Sequence, residues 1–447
     1  MMRVHVVFII FLLCLMQADQ TAWSQESSPK DMRRGLAFFQ AGNYQQALEA
    51  FTAALQTAPN HARILNNRGL TYFRLGRMRE AVEDFERAVE IAPGYYQAWT
   101  NKGLAHYRLG ELTQALEDST RAIALRSGFG MPYHTRGLVY LKVEAFEKAV
   151  LEFDRVLELD PRYTRAYNAR GHALNRLGRF ESALKDFDRA IALDPENPLP
   201  WNNRGWSLIQ MRRFSEALQD LERAVALGPR LAEAYANLAL VNRLLRRQDQ
   251  ALIAYNRALE LEPGNPVFLA QRGIALAQAG RYEDAVRDYS KALEKRPLDA
   301  AVLNNRGIAL TNLRRFDEAL TDFDRAAGLA PGSPEAFINR GNVYIHLGEY
   351  ARAVAMYDQA LVLDPQRASS HNNRGYAWRE LGHLDQALMD FQRALEIDPK
   401  YALAYNNRGV TWILSGNYEQ GCEDLRTACR LLYCKDLNWA RNQGFCP

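Results

Sequence analysis

Cysteine is nearly absent: the 447 residues hold five, and between Cys14 and Cys422 there is none. That gap excludes thiolate metal centres and redox pairs from almost the whole chain, and no C-x-x-C spacing occurs among Cys422, Cys429, Cys434 and Cys446. Charge of one sign is also lacking. Lys and Arg number 56 against 52 Asp and Glu, a formal charge of +4, which supplies no long-range field for gathering nucleic acid or an anionic membrane. Long apolar runs are missing apart from Val4 to Met16, 13 residues interrupted by His5, which is too short to cross a bilayer comfortably. With Arg3 ahead of it and Ala22-Trp23-Ser24 behind, that run reads as a secretory signal over residues 1–24, leaving 25–27 as a short lead. Leu13 before Cys14 is not the small residue that a lipidated N-terminus wants. Four cysteines crowded at one end of an exported chain imply two disulfides, so the expected location is periplasmic or extracellular, in a bacterial-type envelope.

Periodicity is what the sequence has in abundance. Gly35, Gly69, Gly103, Gly137, Gly171, Gly205, Gly273, Gly307, Gly341, Gly375 and Gly409 recur every 34 residues, and Ala239 bisects the single double gap. With this small residue at position 8, twelve units start at 28, 62, 96, 130, 164, 198, 232, 266, 300, 334, 368 and 402, fill 28–435 without insertion, and leave 436–447 as a tail. Position 20 is alanine from Ala47 to Ala387 and Gly421 in the last unit, while position 24 is aromatic in most, as at Phe85, Phe187 and Tyr289. Small residues at 8 and 20 let two helices cross closely, and large ones fill the space around them. Apolar spacing of three and four puts helix A of the second unit at about Ala62 to Leu75 and helix B at about Met78 to Ile91. Gly76 and its equivalents punctuate the turn, and Pro93 and its equivalents stop helix B. One such pair has too little core to stand alone and must stack on the next.

A 34-residue period with small residues at positions 8, 20 and 27, an aromatic at 24 and proline at 32 resembles the tetratricopeptide repeat family over 28–435. The resemblance implies an all-α fold, a right-handed α-α superhelical solenoid whose helices A line the concave face, and the role of a protein or peptide binder. The chain departs from the commonest family pattern at position 7, which is usually leucine and here carries Arg68, Arg204, Arg306 and eight similar cations. Position 23 answers with acids, among them Asp84, Asp220 and Asp322, so Arg68 with Asp84, Arg204 with Asp220 and Arg306 with Asp322 are expected as structural ion pairs that fix register. The seventh unit lacks both, with Leu238 and Ala254.

Asparagine recurs at position 6 as Asn67, Asn101, Asn203, Asn237, Asn305, Asn339, Asn373 and Asn407, and often at position 5. It is a poor helix former, so its repetition wants a reason. Either the amides bond neighbouring repeats, or they offer donors and acceptors to the backbone of an extended peptide. The position-6 series resembles the concave asparagine ladder of the O-linked N-acetylglucosamine transferase repeat domain, which implies peptide binding at these residues. Phe73 with Arg74, Tyr107 with Arg108, Leu141 with Lys142 and Asn175 with Arg176 make units two to five basic and partly aromatic, which suits an acidic client.

Chemistry leaves little trace. No nucleotide loop, zinc-protease helix or nucleophile elbow occurs, and His134 and His172, on consecutive helices A, lack a third ligand. No catalytic residue, metal or cofactor is expected. Cys422 and Cys429 share one face of the last helix B, and a short returning helix over Leu437 to Asn442 would favour Cys422 with Cys446 and Cys429 with Cys434 among three possible connectivities. The expectation is a non-enzymatic scaffold for a protein or peptide client, without nucleic acid or stable membrane insertion. The alternative is a structural organiser of an envelope or secretion assembly that uses convex or edge surfaces.

Overall fold

The computed structural model describes residues 30–447. The expected signal at 1–24, the lead at 25–27, the first two residues of the first repeat and Cys14 lie outside the described residues. The chain forms two compact units that divide between Pro229 and Arg230. The described part of the first holds repeats one to six, and the second holds repeats seven to twelve with the C-terminal tail.

The described residues form twenty-five helices and no strand, so the all-α expectation holds. In repeat two helix A is Ala62–Arg74 and helix B is Met78–Ile91. The turn between them needs one residue with positive φ, supplied by Gly76 at +79°. Four repeats have no glycine there, and Glu144, Arg212, Arg246 and Arg314 take the same left-handed conformation with φ of 59° to 60°, which strains a residue that carries a Cβ. At the other end of the repeat the proline loop is tied down by position 4. The Trp99 indole donates to the carbonyl of Pro93 at 3.0 Å and Trp201 to that of Pro195 at 3.1 Å.

Position 8 is glycine because the position-24 ring occupies the place of its side chain. A Cβ on Gly171 would lie 2.6 Å from the Phe187 ring, and one on Gly273 2.6 Å from that of Tyr289. The position-20 backbone is almost as close, with the Ala387 carbonyl oxygen 3.1 Å from a Cβ on Gly375. These aromatic and alanine side chains are fully buried, and they take part in a series of apolar clusters along each unit. The substantial helix contacts join neighbours in sequence or one helix A to the next helix A, as expected for a stack with only local interfaces.

The stack ends on a helix at Lys435–Asn442, which begins two residues before the expected Leu437. Asp436 stands in its first turn, where a carboxylate is favoured by the helix dipole. Leu437 and Ala440 are buried against Ile413 and Leu425 of the last repeat. Cys422 is bonded to Cys446 and Cys429 to Cys434.

Candidate peptide-binding surface

Most position-7 cations are bound within the fold, although Arg34 of the first repeat pairs with Asp31 at the surface. The Arg68 Nε and Nη2 donate to both Asp84 oxygens at 2.8 and 2.7 Å, Arg204 binds Asp220 in the same way at 2.7 and 2.7 Å, and Arg306 binds Asp322 at 2.7 and 2.7 Å. The sequence pattern did not reveal a second partner. The remaining Nη1 reaches back sixteen residues to position 25 of the preceding repeat, from Arg170 to Asp154 at 2.5 Å, Arg204 to Asp188 at 2.6 Å and Arg374 to Asp358 at 2.7 Å. Each such guanidinium therefore clamps two repeats together. The cost of burial is visible on the acids: desolvation raises the pKa of Asp186 and Asp220 despite their arginines. A guanidinium bound in this way, as at Arg204, spends three of its five N–H groups inside the fold.

The asparagines are largely occupied with one another. Asn101 donates to Oδ1 of Asn66 at 2.9 Å, Asn203 to Asn168 at 3.0 Å, Asn339 to Asn304 at 2.9 Å and Asn407 to Asn372 at 2.9 Å. Each bond joins position 6 to position 5 of the preceding repeat, 35 residues back. Asn373, whose preceding repeat has Ile338 at position 5, donates instead to Asn342 at 3.1 Å. The signal was present in the sequence, since an asparagine at position 5 is answered by one 35 residues later. Asn67, Asn101 and Asn407 are buried, and Asn203, Asn237, Asn305, Asn339 and Asn373 are half-buried. An amide that gives one N–H to its neighbour keeps a second. Asn305, preceded by Ala270 at position 5, makes no hydrogen bond among the described residues and keeps its whole amide.

Position 13 is different in kind. Three of its four cations in repeats two to five, Arg74, Lys142 and Arg176, lie over aromatic rings. The Arg74 guanidinium lies 5.9 Å from the Tyr44 ring centre, the Lys142 ammonium 5.8 Å from Tyr107 and the Arg176 guanidinium 4.5 Å from Phe146. Arg108 is exposed, and neither it nor Lys142 has a salt bridge among the described residues. Arg176 meets Glu144 at 3.1 Å, with both side chains well exposed. Burial, reinforced by the nearby Arg165 guanidinium, pushes Arg74 below the ordinary arginine range. Phe73 and Tyr107 are half-buried beside these cations. In repeats seven to twelve the same position reads Leu244, Gln278, Asn312, His346, Glu380 and Leu414, so the basic stripe belongs to the first unit.

His134 is buried, and desolvation first, then Arg165, holds its pKa down at about 3. His172 is lowered for the same first reason, with Arg176 as its charged neighbour. Among the described residues no group of three or more His, Cys, Asp or Glu side chains could hold a metal, and no helix is long and apolar enough to cross a membrane.

The family description "tetratricopeptide repeat" matches residues 32–96, 79–128, 134–198, 271–334 and 338–402, more than half of the chain. The chain belongs to the tetratricopeptide repeat family. Further descriptions of the same repeat match 172–242, 232–265 and 254–287. No curated protein sequence matches significantly. Solved structures similar to this tetratricopeptide repeat chain include the Cut9–Hcn1 hetero-tetramer of APC/C, 13% identical with a TM-score of 0.50 over 97% of this chain and 98% of that one. Yeast Tom70 is 16% identical with a TM-score of 0.44, over 93% and 95%. YrrB, a tetratricopeptide repeat protein with an unusual peptide-binding site, is 24% identical with a TM-score of 0.37, over 41% and 95%. At these identities the likeness is one of fold.

Proposed function

We propose that this chain is an exported, non-enzymatic scaffold that holds an extended segment of a partner polypeptide along the face made by its helices A, and that the segment lying on repeats two to five is acidic. The observation that carries the reading is the contrast between two sets of cations. Position-7 guanidinia such as Arg204 are bound to carboxylates within the fold, whereas Arg108 and Lys142 have no salt bridge among the described residues, and Arg74, Lys142 and Arg176 lie over aromatic rings. A cation placed over a ring keeps its N–H donors for a ligand and is already ordered when the ligand arrives. The asparagine ladder takes a smaller part than its likeness to the transferase ladder implies. Its amides hold adjacent repeats together, and the N–H groups left over supply contacts to main chain that are indifferent to side chains.

Export rests on the signal-like residues Arg3, Val4 to Met16 and Ala22-Trp23-Ser24, together with the two disulfides at the C-terminal end. A role as organiser through convex surfaces finds less support. Exposed apolar side chains at position 22 occur as Leu151, Ile253 and Met389, in repeats four, seven and eleven, which is scattered surface rather than a patch.

The test is fluorescence anisotropy with a labelled peptide of alternating Glu and Ser, its Gln counterpart and a single-stranded oligonucleotide. The acidic peptide binds, salt weakens it, and Arg108→Glu with Lys142→Glu lowers its affinity roughly tenfold or more. Equal binding of the Gln peptide, preference for the oligonucleotide, or indifference to the charge reversal would overturn the reading.

A further inference from the structure

A second site lies at the other end of the chain, within the second unit, where the terminal helix closes off the helix-A face of repeats ten to twelve. A cavity of about 660 Å³ opens there, within the size range of sites that take small ligands or side chains. Its apolar walls are Ile345, Tyr376, Leu403, Val410 and, on the terminal helix, Trp439. Trp439 is the most solvent-exposed tryptophan among the described residues, at 38% exposure, and it packs on Phe445 with ring centres 5.7 Å apart. A large indole at the rim of a cavity, unburied by its own fold, is surface that a ligand can cover.

The polar floor is incompletely paired. Asn406 is 2% exposed; its Nδ2 donates to Asp436 at 2.6 Å, and its Oδ1 has no hydrogen-bond partner. A buried acceptor left without a donor is costly, and Asn406 is among the residues that line the cavity. Asn407 has spent one N–H on Asn372, and Asn373 has spent one on Asn342 while accepting from Asn372. The floor thus offers one acceptor and two donors, the complement of a main-chain N–H and its neighbouring carbonyls.

We infer that this cavity is an anchor site for a bulky apolar side chain of the held polypeptide, with a backbone N–H of the same segment donated to Oδ1 of Asn406. The inference rests on the scaffold reading above and adds to it a place and a side-chain class. It also ties the site to the disulfides. The terminal helix that carries Trp439 and Asp436, packed through Leu437 and Ala440, is tethered by Cys422–Cys446 beyond its end and by Cys429–Cys434 before its start.

The probe is a fluorescein-labelled heptapeptide Ser-Gly-Ser-X-Ser-Gly-Ser with X as Phe, Leu or Ser, read by anisotropy on the full chain. The Phe or Leu peptide binds roughly tenfold or more tighter than the Ser peptide, and Trp439→Ala removes that preference. Leu403→Ser, in a different helix, does the same, which guards against a variant that merely unfolds the tail. Reduction with dithiothreitol abolishes the preference as well, while binding of the acidic peptide to repeats two to five is unchanged. No preference for the apolar peptides, or a preference that survives Trp439→Ala, would sink the anchor site. Self-association of the chain abolished by Trp439→Ala would instead give the cavity to a second copy and overturn the inference. If the oxidised wild-type chain shows no apolar preference while it still binds the acidic peptide, this site alone is rejected; failure of both probes rejects the scaffold reading too.

Discussion

An asparagine in mid-helix competes with its own backbone, and in this chain the compensation is a second asparagine in the next repeat. Asn101 and Asn66 illustrate the balance: both are buried, and one N–H passes between them at 2.9 Å. Replacing Asn101 by Ala strands the Asn66 oxygen, so the variant is expected to lose about 1–3 kcal/mol. Replacing Asn66 as well removes the stranded group, and urea titration of the four species should show a coupling of about 1 kcal/mol; additive losses would mean that the bond contributes nothing. The pairing was legible in the sequence, but only when position 5 of one repeat is read against position 6 of the next. Reading each position down its own column suggests a ladder facing a ligand. A second residue-scale strain is written in the turn. Arg212 stands at φ +60° where most repeats have glycine, and Arg212→Gly is expected to stabilise the chain by up to about 1 kcal/mol, the left-handed penalty less the entropy cost of glycine. A lower melting temperature for this variant would contradict that account.

At the scale of the helix, the boundaries follow so closely from Gly76, Pro93 and their equivalents that helix B of repeat two is placed to the residue and helix A to within one. What resisted reading was the far partner of each position-7 cation. Position 25 presents Asp154, Asp188, Asn256, Ser290 and Gln392 in different repeats, and a site that needs only an acceptor leaves no constant residue type to recognise. Helix A of repeat four, Gly130–Lys142, carries a different burden, the neutral His134 imidazole packed between Phe153 and Tyr163. Its folded pKa of about 3 lies below the ordinary value of 6.5, so the unfolded chain takes up a proton that the folded chain refuses. Stability is then unaffected above pH 6.5 and falls as pH drops from there towards 3, by roughly 2–3 kcal/mol at pH 4.5. Denaturation of the wild type and of His134→Gln at pH 7.5 and 4.5 separates this contribution from general acid effects. The variant loses that part of the acid sensitivity, and parallel losses in both proteins would show that His134 is not its source.

Across the whole molecule, each substantial contact is local in sequence, and the sources of cohesion are unequal from repeat to repeat. Most repeats carry a guanidinium clamped to carboxylates, the seventh has Leu238 and Ala254 in those places, and only the last is held by disulfides. A linear array with interfaces of unequal strength unfolds in parts once the weakest interface costs less to open than the rest of the stack. Urea unfolding followed by far-UV circular dichroism should therefore be broad, and a two-state fit should return an m-value well below that expected for exposing a chain of this length. Dithiothreitol should shift only the phase that reports on the terminal repeat, where Trp412 and Trp439 lie, because a cross-link limits the unfolded freedom of the loop it closes and of little else. The distinction matters for the two binding regions. A stripe of cations in repeats two to five and an anchor cavity at the cap can respond to salt and to redox state separately only if the repeats between them do not unfold as one. A single sharp transition, coincident by dichroism and by tryptophan emission and moved as a whole by dithiothreitol, would show a cooperative unit spanning all the repeats, and the two regions would then gain and lose their structure together.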